Sequence, residues 1–108
     1  MAAIEIFEAQ FYEKVQRGVV TVNFFSESCM NCLMMSPVID GLEEKFSPHV
    51  KFFKVNIEEN PTIVKELAIC TTPTIIVLKD GEIVHRECGG IFEEEFENMI
   101  CEMIGLRV

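Results

Sequence analysis

The run Val19–Phe25 constrains the fold of this chain most, because its residues are almost all β-branched or aromatic. A run of this kind, without alternation of apolar and polar residues, is typical of a central strand that is buried on both faces. A helix is expected to begin near Ser28, since an apolar side chain then recurs every three or four residues. That apolar stripe consists of Met35, Val38, Ile39, Leu42 and Phe46. A buried strand followed by such a helix predicts a sheet with helices packed on it.

The remaining segments extend this pattern into an alternation of strands and helices. Strands are predicted at residues 4–7, 50–57, 74–78 and 82–86, and helices at 8–17, after Asn60-Pro61 and from about Phe92. Gly18 is expected to end the first helix, and Asp80-Gly81 predicts the hairpin turn between the last two strands. The order βαβαβαββα predicts an α/β fold with a central mixed sheet and helices on both faces.

Length, composition and charge narrow the class of protein further. A chain of 108 residues, 49% of them apolar, fits a single folded domain over residues 1–108. The net charge of −9 argues against nucleic acid and anionic membranes as partners, because both are negatively charged. The first residues have no basic stretch and no apolar run is long enough to cross a bilayer, so we expect a protein that is not exported. Five cysteines, an odd number with one close pair, predict a reducing, cytoplasmic location.

The close pair, Cys29 and Cys32, carries the clearest chemical signal. Its first cysteine lies at the predicted helix start, where free backbone N–H groups and the helix dipole stabilise a thiolate, so Cys29 is predicted to be a nucleophile. Cys32 lies one turn further into the helix, and we expect it on the buried side, where it can resolve a mixed disulfide. The pair is also compatible with half of a metal site or with two inert core cysteines, although a four-thiolate zinc site needs a second close pair.

In element order and in local motifs, the chain resembles the thioredoxin family over nearly its whole length. The matching segments are residues 22–29 (VNFFSESC), Ser36-Pro37, residues 54–61 (KVNIEENP), Thr72-Pro73-Thr74, Asp80-Gly81 and Gly89. The resemblance implies a thioredoxin fold and a protein-disulfide oxidoreductase that reduces or exchanges protein disulfides through Cys29 and Cys32. It also implies electron transport in cell redox homeostasis, with disulfide-containing proteins as substrates, a thioredoxin reductase as partner and no cofactor of the chain's own.

The same resemblance implies roles for residues around the cysteine pair. Pro73 would be a cis proline beside the sulfurs, and Thr72 would offer its backbone to an extended substrate segment. The substrate-binding set implied by the family is completed by Met30, Asn31 and Gly89.

The chain departs from the family pattern at the pair itself and beneath it. Ser28 and Asn31 stand where the family usually has Trp and Pro. Asn23 stands where the family has a buried Asp near a Lys that corresponds to Lys54. Because an amide cannot ionise, Asn23 and Lys54 are expected to modulate the reaction, and resolution by Cys32 is expected to be slow near neutral pH. These losses motivate an alternative, a thioredoxin-like binding module with little redox turnover.

No motif decides the packing of Met30 and Met34 or the role of the three remaining cysteines. Met30 and Met34 lie one helical turn apart, off the buried stripe, and either pack in the core or form a soft docking patch. Cys70 and Cys88 are expected to be small buried side chains, although both could approach the rim of the site. Cys101 lies off the apolar stripe of the last helix and receives no role.

Overall fold

The computed structural model describes residues 3–90 and 93–105, which form a mixed sheet of five strands. The strands are β1 (Ile4–Glu5), β2 (Val19–Phe25), β3 (Val50–Asn56), β4 (Thr74–Lys79) and β5 (Glu82–Cys88). Their spatial order is β1-β3-β2-β4-β5, with β1, β3 and β2 parallel and β4 antiparallel to both β2 and β5. The predicted mixed sheet is confirmed, and β2 lies at its centre.

Four α-helices in the described part of the chain cover the two faces of this sheet. They are α1 (Phe11–Lys14), α2 (Met30–Phe46), α3 (Pro61–Glu66) and α4 (Glu93–Met103), and a 3-10 turn at Glu8–Gln10 precedes α1. One core cluster packs α2 and α4 against the sheet, and a second cluster on the opposite face includes side chains of α1 and α3. Within residues 3–90 and 93–105, no helix has the length and apolarity that spanning a bilayer requires.

Burial on both faces explains why β2 is almost entirely β-branched or aromatic. The alternation of its side chains determines where its one amide, Asn23, points. Val20, Val22 and Phe24 are buried in the cluster that includes α1 and α3. Successive side chains of a strand point to opposite faces, so Val19 and Asn23 share the face that α2 covers. The central strand therefore places the Asn23 amide beneath the helix that follows the cysteine pair.

The β4–β5 hairpin forms at the predicted Asp80-Gly81 turn. Both residues have positive φ, 51° for Asp80 and 87° for Gly81, which the tight two-residue hairpin turn requires. Asp80 also joins this turn to the start of β2. Its Oδ1 accepts from the Gly18 N–H at 2.9 Å, and its own N–H donates to the Gly18 carbonyl at 2.9 Å.

The N-terminal elements are shorter than predicted. β1 ends at Glu5 rather than at residue 7, and α1 covers Phe11–Lys14 rather than residues 8–17. Phe7 is 47% exposed, so only Phe11 and Val15 of the expected stripe are buried. The physical reason is that Phe7 lies in extended backbone, where the three- and four-residue spacing of a helix does not apply. The other boundaries differ by one or two residues, and Phe92 lies outside the described residues.

The expected burial of Cys70 and Cys88 is wrong. Cys70 is exposed in the loop after α3, and Cys88 is exposed at the end of the edge strand β5. Cys101 is instead 5% exposed and belongs to the same core cluster as Phe96 and Ile100. Because α4 contacts both α2 and the sheet, it buries a face wider than the single stripe that its sequence suggests.

Hydrogen bonds of the buried Asn60 side chain connect the start of α3 to the N-terminal segment. Its Oδ1 accepts from the backbone N–H of Glu8 at 2.8 Å, and its Nδ2 donates to the carbonyl of Asn56 at 2.8 Å. The Glu8 carboxylate accepts in turn from the N–H groups of Thr62 at 2.8 Å and Ile63 at 3.2 Å. These N–H groups belong to the first turn of a helix, where no intrahelical acceptor is available.

Asn60→Ala should lower the free energy of unfolding by about 2–4 kcal/mol, because the buried groups bonded to this amide lose their partner. Urea denaturation followed by circular dichroism measures the change. Asn98→Ala, at an exposed position of α4, is the matched control and should have little effect. A loss for Asn60→Ala no larger than that of the control would contradict this account of the contact.

Candidate active site

Cys29 occupies the capping position of α2, immediately before its first helical residue, Met30. Its backbone is extended (φ −94°, ψ 113°), and its Sγ accepts from the backbone N–H of Cys32 at 3.1 Å. The first N–H groups of a helix have no intrahelical acceptor, so the sulfur takes the place that a Ser or Asp oxygen commonly fills. The predicted contact of the first thiol with the helix start is therefore present as a specific hydrogen bond.

The two thiols of the pair have opposite pKa shifts. Burial raises the pKa of Cys29, but hydrogen bonds from the side chains of Cys32 and Thr72 and from the backbone of Cys32 and Asn31 outweigh it, so its pKa is lowered. Burial, and next the hydrogen bond to Cys29, raise the pKa of Cys32. Cys29 is also half-buried whereas Cys32 is 6% exposed. Cys29 is thus both easier to ionise and easier to reach.

The loop before β4 brings Pro73 and Thr72 to the pair. The Thr72–Pro73 peptide bond is cis, as the family resemblance implies, and the Pro73 carbonyl accepts from the Gly89 N–H at 2.8 Å. The side chain of Thr72 acts to lower the pKa of both thiols of the pair. Sequence reasoning assigned a role only to the backbone of Thr72 and missed this hydroxyl, although a hydroxyl beside the expected cis proline was a usable signal.

An open cleft of about 370 Å³ reaches Asn31, which lies between the two cysteines in the sequence, and we call it the substrate-side cleft. Its lining residues are Asn31, Met34, Met35, Glu87, Gly89, Gly90 and Glu95. Asn31 and Gly89 were expected near a substrate, whereas the two glutamates and Gly90 were not.

Met30 and Met34 were expected either to pack in the core or to form a docking patch. Their exposed fractions of 70% and 69% exclude core packing.

A second cavity, of about 240 Å³, lies on the other side of α2 and is lined by Asn23, Cys32, Ser36, Lys54 and Glu27, among others. The β2–β3 register makes Asn23 and Lys54 direct neighbours, as the resemblance implies. Asn23 is buried, and its Oδ1 has no hydrogen-bond partner among the described residues. The ammonium of Lys54 lies 5.6 Å from the centroid of the Phe25 ring. The structure therefore brings a neutral amide and a lysine to the cavity that Cys32 also lines.

The other candidate groups lie apart from this arrangement. Cys70 Sγ is 3.5 Å from the carbonyl of Ala68, and Cys101, a residue of α4, is buried in the core. The described ranges contain no cluster of three or more Cys, His, Asp or Glu side chains suited to holding a metal ion.

Comparison with known proteins agrees with this geometry. The family model described as Thioredoxin matches residues 2–102. The chain is 31% identical over 106 residues to the thioredoxin of Porphyra purpurea, which covers 96% of this chain and 99% of the relative. It is 33% identical over 89 residues to the thioredoxin of Staphylococcus haemolyticus, an alignment that covers 82% of this chain and 86% of the relative. It is 28% identical over 100 residues to the thioredoxin of Bacillus subtilis, an alignment that covers 93% of this chain and 96% of the relative. Fold, cysteine pair and relatives define a thiol-disulfide oxidoreductase. Within that class, the chain belongs to the thioredoxin family.

Because the thiolate is the reactive species, the two pKa directions predict different pH profiles of alkylation. Cys29 should reach its maximal rate of alkylation by iodoacetamide at a lower pH than the thiol of glutathione does. Cys32 should reach its maximal rate at a higher pH than glutathione does. Peptide mass spectrometry resolves the two sites. Cys32→Ala removes a donor to the Cys29 sulfur and should move the Cys29 profile to higher pH. Identical profiles for the two cysteines would refute the assignment.

Proposed function

We propose that Cys29 attacks substrate disulfides and that Cys32 resolves the resulting mixed disulfide. The observation that carries this assignment is the inequality of the two thiols. Cys29 accepts the Cys32 N–H at 3.1 Å, is partly exposed and has a lowered pKa, whereas Cys32 is buried and has a raised pKa. An attacking thiol needs access and thiolate character, and a resolving thiol needs only to reach its neighbour.

The reaction transfers two electrons to the substrate. The Cys29 thiolate attacks one sulfur of the substrate disulfide, the substrate S–S bond breaks, and the other substrate sulfur leaves as a thiolate. Cys32 then loses its proton and its thiolate attacks Cys29 Sγ, so the second substrate sulfur leaves with its electron pair. The products are a dithiol substrate, after uptake of two protons, and a Cys29–Cys32 disulfide. Run in reverse, the same atoms donate a disulfide.

Five residues around the pair form the surface that we assign to the substrate: Met30, Asn31, Thr72, Pro73 and Gly89. Asn31 and Gly89 line the substrate-side cleft, and Gly89 is tied to the Pro73 carbonyl. Met30 is 70% exposed beside the capping cysteine, which suits a contact that a partner covers. Thr72 precedes the cis proline, and its side chain acts to lower the pKa of Cys29. An extended segment of substrate that reaches Cys29 would therefore meet this surface.

The partners and the cellular location that we propose are inferred from the family, the net charge and the cysteine count. Disulfide-containing proteins are the substrates, and a thioredoxin reductase returns the two electrons, so the chain carries electrons between them. The net charge of −9 disfavours nucleic acid and anionic membranes, and the odd cysteine count favours the cytoplasm. Residues 1–108 would act as one domain, since the two core clusters pack on a single sheet.

Variants of the pair test this function by reduction of insulin disulfides with dithiothreitol as electron source. Cys29→Ser should reduce the rate to that without protein, whereas Cys70→Ser, outside the site, should retain activity. Cys32→Ser should accumulate a covalent complex on Cys29, because the second displacement is lost. Activity that survives Cys29→Ser would contradict the assignment. A wild-type chain that binds substrates without reducing them would instead favour the binding module.

Asn23→Asp should accelerate resolution, because a carboxylate in the cavity that Cys32 lines can accept the thiol proton and the amide cannot. The decay of a preformed mixed disulfide on Cys29, followed across pH, measures the step. Asn98→Asp adds the same charge at an exposed position of α4 and should leave the rate unchanged. Equal rates for Asn23→Asp and the wild-type chain, with the fold intact by circular dichroism, would remove Asn23 as a modulating residue.

A further inference from the structure

The substrate-side cleft has one sign of charge. Glu87 comes from β5 and Glu95 from the first turn of α4, and the described residues that line the cleft include no lysine or arginine. The N-terminus of α4 offsets only about half an elementary charge, while Glu93, Glu94 and Glu95 all lie in its first turn. A polypeptide in this cleft therefore experiences a negative potential next to Asn31, which separates the two cysteines.

Glu87 is held in position by a neighbour on the same strand. His85 Nε2 lies 3.0 Å from Glu87 Oε1, and this hydrogen bond occupies one of the two carboxylate oxygens. A carboxylate whose side chain is already ordered loses less conformational entropy when a cation binds. This contact favours Glu87 as a recognition group rather than as a freely rotating surface charge.

Between the cleft, which Met34 lines, and the second cavity, which Leu33 lines, the first turns of α2 expose an apolar ridge formed by Met30, Leu33 and Met34. Their exposed fractions are 70%, 64% and 69%. Residues spaced by three and four share one face of a helix, so the three side chains form one patch rather than scattered contacts. Methionine adapts to varied partner surfaces because its side chain is unbranched and flexible. The patch suits an apolar side chain near the attacked disulfide without fixing its shape.

We propose that the substrate-side cleft and this ridge select protein disulfides whose attacked cysteine lies beside a lysine or arginine and an apolar side chain. The cation would pair with Glu87 and Glu95 while the apolar side chain covers the ridge. This inference rests on the proposed function, because it names the class of segment that Cys29 attacks. It differs from general attraction by the net charge of −9, since it depends on two particular carboxylates.

Synthetic peptide disulfides that differ only in a lysine, glutamine or glutamate beside the cysteine test the selection through kcat/KM. The wild-type chain should prefer the lysine peptide to the glutamate peptide by about fivefold, the effect of two exposed ion pairs. Glu87→Gln/Glu95→Gln should bring the ratio close to one. Glu13→Gln/Glu44→Gln is the matched control, because both residues are exposed outside the cleft and the net charge changes equally. That control should keep the preference.

Three other outcomes of these assays would contradict the proposed selection, and one of them would also contradict the proposed function. Equal use of the three peptides by the wild-type chain would refute selection by the cleft. Equal loss of preference in both double variants would assign it to long-range attraction by net charge and also refute the proposal. If the wild-type chain reduces none of the peptides and no insulin, the proposed function itself fails, and this inference fails with it. Circular dichroism of each variant establishes that a changed ratio reflects recognition rather than loss of fold.

Discussion

The hydrogen bond from the Cys32 backbone N–H to Cys29 Sγ is the contact on which the site depends. It exists because a helix begins with N–H groups that its own backbone cannot satisfy, and because β2 delivers the chain to that point with a cysteine at the capping position. The same contact makes the two cysteines unequal. The capping sulfur remains accessible and receives donors, while the sulfur one turn later is buried and receives fewer. This inequality of the two thiols supports the order of reaction that we propose.

The sheet supplies the remaining geometry through strand ends and register. β2 ends next to the pair, the loop before β4 supplies Thr72 and Pro73, and the end of β5 supplies Gly89. Alternation along β2 points Asn23 toward α2, and the parallel register with β3 places Lys54 beside it. Each of these placements follows from backbone pairing in the core. The side chains at the site are therefore held by buried strands rather than by the surface loops alone.

Local sequence patterns predicted what depends on local structure. The element order, the Asp80-Gly81 turn and the cysteine at a helix start follow from propensities and from spacing, and all three are present. Exposure of single side chains depends on what packs over them, so the burial predicted for Cys70 and Cys88 was wrong. The glutamates of the cleft carried no sequence signal, because surface carboxylates from β5 and α4 have no periodicity that marks a shared site. Their juxtaposition is a product of the tertiary fold.

Residues on two different faces of α2 line the substrate-side cleft and the cavity that contains Asn23. Asn31, Met34 and Met35 line the substrate-side cleft, whereas Cys32 and Ser36 line the cavity with Asn23. Positions three or four apart share a helix face, so a single turn of α2 presents one face to each region. The Cys32 sulfur therefore has its polar surroundings on the side away from the cleft. Because Asn23 is neutral, this buried position of β2 avoids the cost of a buried charge. In the proposed reaction, that amide cannot take up the proton that Cys32 loses, so the proton passes to another base or to the departing substrate thiolate.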